Sequence, residues 1–155
     1  MIPSFVIVPG ALWPLLPPGI HDASMEEVYK RYAINNLRQV LFGGFKNAVE
    51  NIFTAGCPQV FLDGSYVTAK PEPGDYDALW DRRFVDPAQL DPIFLDFTHG
   101  TIHQKAKYLG EFFPASATER ATRRSFMDFF QKDRLTGAQK GIIRITNYLK
   151  GGGSI

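Results

Sequence analysis

The chain has 155 residues, a formal net charge of +1, 45% hydrophobic and 21% charged residues, which excludes a disordered tail or a fibre and fits one globular domain. A single cysteine, Cys57, excludes an internal disulfide and a cysteine-cluster zinc site. The longest apolar runs fall far short of the ~20 residues that span a bilayer, and Met1 to Leu16 has three prolines and a glycine but no basic residue, so it does not read as a signal peptide. A soluble, cytoplasmic protein is expected.

In chain order, Pro3, Pro9, Pro14, Pro17 and Pro18 forbid a continuous helix and predict an extended arm lying on the surface over residues 1–22. Ser24 with Glu27 forms a capping box, which starts a helix over Met25 to Tyr32. Asn35 or Asn36 caps the next helix. Its apolar face (Leu37, Leu41, Phe45, Ala48, Val49, Ile52, Phe53) recurs at three- and four-residue steps, and Gly56 is its stop. Gly43 and Gly44 weaken the middle of that helix unless another backbone packs close there. Gln59 to Leu62 reads as a buried strand that ends at Asp63-Gly64-Ser65, and Tyr76 to Trp80 as a second strand. Asp86-Pro87 marks a further helix start, and Ile93 to Phe97 fits either a strand or a helical turn. Thr101 to Phe113 and Arg123 to Gln131 read as helices, Lys140 to Thr146 as a buried strand, and residues 151–155 as a flexible tail. The sum is an α+β (or α/β) domain over residues 23–150: a small mixed sheet flanked by helices.

Charge divides unevenly. Residues 1–100 hold 7 Lys/Arg against 12 Asp/Glu, and residues 101–155 hold 10 against 4. Uneven surface charge alone accounts for this, but an acidic part facing a basic part also suits a metal site beside an anion-binding wall.

The chemistry concentrates between residues 61 and 78. A strand ends in Gly64-Ser65, where glycine lets a phosphate approach the backbone and serine adds a donor. After a gap of nine residues comes Asp75-Tyr76-Asp77. Side chains two apart on a strand share a face and lie about 7 Å apart along it, close enough to bind one hard divalent cation or a pair of them. Without a cation two like charges on one face repel, so the pair makes more sense as a metal site than as structure; a turn after Pro73-Gly74 is the alternative.

This pattern (hydrophobic-Gly-Ser, a gap, Asp-x-Asp) resembles the signature of the polymerase-beta-like nucleotidyltransferases over about residues 59–80. A wider resemblance is to a bacterial family of uncharacterised nucleotidyltransferase-like proteins, carried by Leu16 to His21, Asp63 to Thr68, Pro73 to Asp77, Phe129 to Arg134 and Lys140 to Ile143. The resemblance implies that Gly64 and Ser65 hold a triphosphate and that Asp75 and Asp77 bind Mg2+ or Mn2+. It implies transfer of a nucleoside monophosphate from an NTP to a protein or RNA hydroxyl, in a toxin–antitoxin or phage-defence setting with a cognate protein partner. It also implies a third carboxylate on a later strand. Asp96 is the candidate by order and setting, with Asp128 and Glu111 behind it. The alternative is a degenerate nucleotide-binding, antitoxin or regulatory module. No helix-turn-helix signature supports sequence-specific DNA binding.

Other residues have plainer readings. Lys70 lies between the motif halves, where it can reach a phosphate or stand as a solvated lysine. Lys105 and Lys107 point different ways on a helix, so at most one faces a site. Arg134 and Lys140 flank Gly137 in a charged hairpin that can also clamp phosphate. His21, His99 and His103 show no paired ligand spacing, and Cys57 reads as a small buried packing residue. Phe126, Phe129 and Phe130 read as core, with base stacking the other use of such rings.

Overall fold

A computed structural model describes residues 1–149, so the tail expected over residues 151–155 lies outside the described residues. Ser24 accepts from the Glu27 amide, and the Glu27 carboxylate accepts from the Ser24 amide. This capping box starts α1 (Met25–Tyr32) where the sequence places it. Asn35 caps α2 (Asn36–Thr54), and Gly56 ends it at φ 108. Gly44 is a close-approach point. A Cβ there would collide with the Tyr108 carbonyl, so the glycine that weakens the helix lets the chain beyond α2 pack against it.

The sheet has five strands: β1 (Gly19–Asp22), β2 (Gln59–Asp63), β3 (Tyr76–Trp80), β4 (Gly110–Pro114) and β5 (Gly141–Thr146), in the order β1-β5-β2-β3-β4. β2 runs antiparallel to both β3 and β5, whereas β1 pairs parallel with β5 and β4 parallel with β3. The class is α+β with a mixed sheet, as expected. One end of the sheet therefore gathers the C-terminus of β2 and the N-termini of β3, β4 and β5.

Strand alternation sorts the side chains into two layers. Val60, Leu62, Tyr76, Ala78, Trp80, Phe112, Ile143 and Ile145 join the main core with Phe45, Ala48, Val49 and Ile52 of α2. Phe61, Leu79 and Ile142 point the other way, under Phe113, Phe126 and Phe130, where α4 (Phe126–Phe130) covers the sheet. Asp63, Asp77 and Glu111 share the parity of this second face, so the acids continue the smaller hydrophobic cluster toward the sheet end.

Three expectations need correction. The arm over residues 1–22 does not only lie on the surface: β1 is an edge strand, Leu15 and Leu16 are buried, and Val6 bridges Leu15. Asp86-Pro87 starts only a turn, although Asp86 does accept from the Ala88 amide; the helical turn comes later, at Pro92–Leu95. The helix expected over Thr101 to Phe113 divides. α3 (Ile102–Tyr108) stops where Leu109 turns left-handed at φ 68. Gly110, lying against the Tyr76 ring with no room for a Cβ, then opens β4.

The chain between β2 and β3 is held by a residue that periodicity hides. Arg38 is 2% exposed and donates to the carbonyls of Tyr32, Tyr66, Thr68, Lys70 and Pro71. The Tyr66 hydroxyl donates in turn to the Arg38 carbonyl. A planar fork of donors suits a curved row of carbonyls. Arg38→Lys keeps the charge but not the fork, and is expected to lower unfolding free energy by about 2 kcal/mol in a urea titration.

Candidate metal centre and cleft

The site begins at the Gly64 turn. Gly64 has φ 82, and a Cβ on it would lie 2.6 Å from Asp77 Oδ2 and 3.1 Å from the Asp77 amide nitrogen. Glycine here lets the Asp77 carboxylate lie directly over the turn, as the β2–β3 register (Asp63 opposite Asp77) demands. Ser65 then opens a short 3-10 turn, Ser65–Val67, whose first carbonyl accepts from the Thr68 amide and hydroxyl.

Asp77 also stands beside Glu111 in the parallel register of β3 and β4. Asp75, Asp77 and Glu111 each offer an oxygen, and the three oxygens lie within 4.8 Å of one another. Burial pushes the Asp77 carboxyl up to about 8, and the charges of Asp63, Asp75 and Glu111 push the same way. Asp75 is also raised, by burial first, against the opposing pull of Lys105. Asp63 is fully buried, and its carboxyl is raised to about 6 by burial, held down in part by Lys140 Nζ at 3.2 Å. Lys105 Nζ lies 3.4 Å from Asp75 and 3.6 Å from Glu111, and Glu111 is the first cause of its raised pKa. Hard oxygen donors crowded this closely fit a divalent ion such as Mg2+ or Mn2+ once Asp77 releases its proton.

The acids form part of a cleft of about 340 Å³ that also takes in Gly64, Ser65 and Thr68. Lys132, Arg134 and Lys140 give it a basic wall; Leu12, Trp13, Leu135, Phe129 and Phe130 give it an apolar one. Its volume is within the range of small-molecule sites.

Asp75, Asp77, Gly64 and Ser65 thus meet around one cleft. Asp96 does not join the trio. It ends the Pro92–Leu95 turn, accepts from the Thr98 amide and hydroxyl, and lies 4.0 Å from His103. The carboxylate that stands beside Asp75 and Asp77 is Glu111. Asp128 sits in the first turn of α4, exposed. Lys70 is outside the cleft lining, with its carbonyl bound by Arg38, though its charge is felt at Asp75. Of the α3 lysines, Lys105 faces the acids and Lys107 pairs with Asp91 at 2.5 Å. Three contributors carried little signal: Glu111, hidden in an apparent helix; Lys140, which reads as hairpin charge; and Trp13, in an irregular arm. The clue to Glu111 was Gly110-Glu111-Phe112-Phe113-Pro114, a strand-length run between a glycine and a proline.

Among the described residues no helix is long and apolar enough to cross a membrane. A family model, that of a family of unknown function (DUF6932), matches residues 12–146. No curated protein and no solved structure matches the chain.

Proposed function

The chain belongs to DUF6932, and from its cleft we propose that it is a metal-dependent nucleotidyltransferase that moves a nucleoside monophosphate from an NTP to a hydroxyl. The observation that carries this reading is the carboxylate trio of Asp77 on β3, Asp75 just before it and Glu111 on the adjacent β4, beside the Gly64-Ser65 turn. The resemblance of the Gly-Ser and Asp-x-Asp elements to polymerase-beta-like nucleotidyltransferases supports it.

Each group has a role in that reaction. Asp75, Asp77 and Glu111 would hold Mg2+ or Mn2+. When bound, the metal neutralises phosphate charge and stabilises the departing pyrophosphate. Gly64 makes room for the Asp77 carboxylate over the turn, and the Ser65 hydroxyl would donate to a phosphate. Lys132, Arg134 and Lys140 of the basic wall would meet the phosphates. Glu111, whose Oε2 accepts from the Thr101 hydroxyl at 2.7 Å, would take the proton of the attacking hydroxyl. The acceptor oxygen bonds to the α-phosphorus, the bond to pyrophosphate breaks, and the acceptor's proton passes to the carboxylate.

The test is incubation with each α-labelled NTP, Mg2+ or Mn2+, and protein and RNA acceptors, with label transfer read on gels. Metal-dependent labelling that disappears in Asp75→Ala/Asp77→Ala is expected; undiminished labelling in that variant overturns the reading. A cognate partner and a toxin–antitoxin or phage-defence setting remain within the proposal, by family resemblance alone.

A further inference from the structure

We propose that the outer, apolar wall of the cleft is a nucleobase site in which Trp13 of the N-terminal arm supplies the stacking surface. This rests on the nucleotidyltransferase reading and adds to it the segment that grips the base. Three apolar side chains at this cleft are left open to solvent: Leu12 is 76% exposed, Trp13 37% and Leu135 63%. They come from two segments far apart in sequence, the arm and the loop that follows α4. These segments meet at Gly10, where a Cβ would lie 3.3 Å from the Thr136 methyl. The arm is fixed in place by the Val6–Leu15 bridge and by the Pro14 and Leu16 carbonyls, which accept from the Ala69 and Gly141 amides.

Phosphates and a cation account for the acids and the basic wall. Neither needs an indole and two leucines. A planar, weakly polar group covalently tied to phosphates does need such a surface, and a nucleobase is that group. Behind it, Phe129 and Phe130 pack edge to face at 5.1 Å, with the Arg134 guanidinium over the Phe129 ring at 5.7 Å. The basic wall and the apolar wall are thus joined at one residue pair, as a molecule with a charged end and an aromatic end would require. Stacking reads ring area rather than hydrogen-bond pattern, so purine nucleotides bind more tightly than pyrimidine ones.

The full chain is titrated by calorimetry and by indole fluorescence with ATP, CTP and inorganic tripolyphosphate, each with Mg2+, and with Mg2+ alone. Trp13 and Trp80 are the only tryptophans, and Trp80 is 2% exposed, so quenching of indole emission that vanishes in Trp13→Phe is assigned to Trp13. In the wild type ATP is expected to bind more tightly than tripolyphosphate. Trp13→Ala is expected to weaken ATP by about 5- to 150-fold and to leave tripolyphosphate and Mg2+ affinities unchanged, and Trp13→Phe to restore most of the loss. Equal affinity of the wild type for ATP and tripolyphosphate overturns the base site and leaves the transferase reading intact. So does an unchanged ATP affinity in Trp13→Ala. Failure of every nucleotide and of tripolyphosphate to bind with Mg2+ overturns both.

Discussion

Asp77→Asn is expected to reduce nucleotidyl transfer by at least about a thousandfold and, in the same molecule, to stabilise the metal-free fold above neutral pH. The first effect follows from the several kcal/mol of charge stabilisation that a site cation contributes when its central ligand is intact. The second follows from the environment of that ligand. Asp77 is pushed up to about 8 by burial and by three neighbouring acids, whereas an unfolded aspartate titrates near 3.8. Between those values the native state holds a proton that the unfolded state has released. The unfolding free energy is therefore greatest below the unfolded value and declines as pH rises through the window up to about 8. An asparagine side chain in this place has nearly the same shape and no charge to desolvate, so the variant loses that contribution to the slope. At pH 9 it is the more stable protein by several kcal/mol, at about 1.4 kcal/mol per pKa unit displaced. Binding of Mg2+ to the wild type requires release of the proton, so its affinity is expected to strengthen by up to about tenfold per pH unit below pH 8. Urea titrations from pH 5 to 9, with and without Mg2+, measure all of this. A wild-type protein that gains stability from pH 5 to 8, or a variant that still transfers at the wild-type rate, contradicts the assignment.

That combination explains why part of the site was legible and part was not. Gly64-Ser65 and Asp75-x-Asp77 are local: a strand end, a turn and one strand face, all within 15 residues. Their chemistry follows from spacing. The boundaries of α1 and α2 were equally local, because capping residues and a stop glycine mark them directly. Glu111 is a different case. Its meeting with Asp77 depends on a parallel pairing 34 residues away in sequence, and its strand follows α3 with only Leu109 between. Helical spacing runs on through that junction, since the left-handed turn at Leu109 has no sequence mark except the glycine after it. Leu95 and Phe97 flank Asp96 like strand neighbours, yet both are more than 40% exposed, and Asp96 holds its own turn and faces His103 rather than the trio. Arg38 shows the same limit from the other side. It sits where an amphipathic pattern expects a solvated residue, and the carbonyls that pull it inward belong to a loop about 30 residues away.

Lys140→Met is expected to be the most destabilising single change at the site, by about 3–5 kcal/mol at pH 8, with most of the loss recovered at pH 5. Lys140 and Asp63 are nearly sealed from water, at 12% and 0% side-chain exposure, with Nζ and Oδ1 3.2 Å apart. Methionine fills the volume of the lysine stem but leaves the carboxylate without its cation in a region that already holds Asp77. The Lys140 charge is one of the influences that keep Asp63 as low as about 6, so in the variant the folded-state value rises further above the unfolded 3.8. The penalty therefore sets in where the wild-type carboxyl ionises, above about pH 6, and grows with pH until the variant's higher value is passed. It fades as pH falls through 6, where Asp63 is protonated in both proteins. Asp63→Asn/Lys140→Met removes both charges together and is expected to recover most of the stability, because a neutral pair of similar size has no unpaired ion to desolvate. The double variant still lacks a cation of the basic wall, so its affinity for Mg2+-tripolyphosphate stays weakened while its fold is restored. Urea titrations of the single and double variants at pH 5 and 8 separate the two effects. A single variant equally unstable at both pH values, or a double variant no better than the single, refutes the pairing of Lys140 with a buried ionised Asp63.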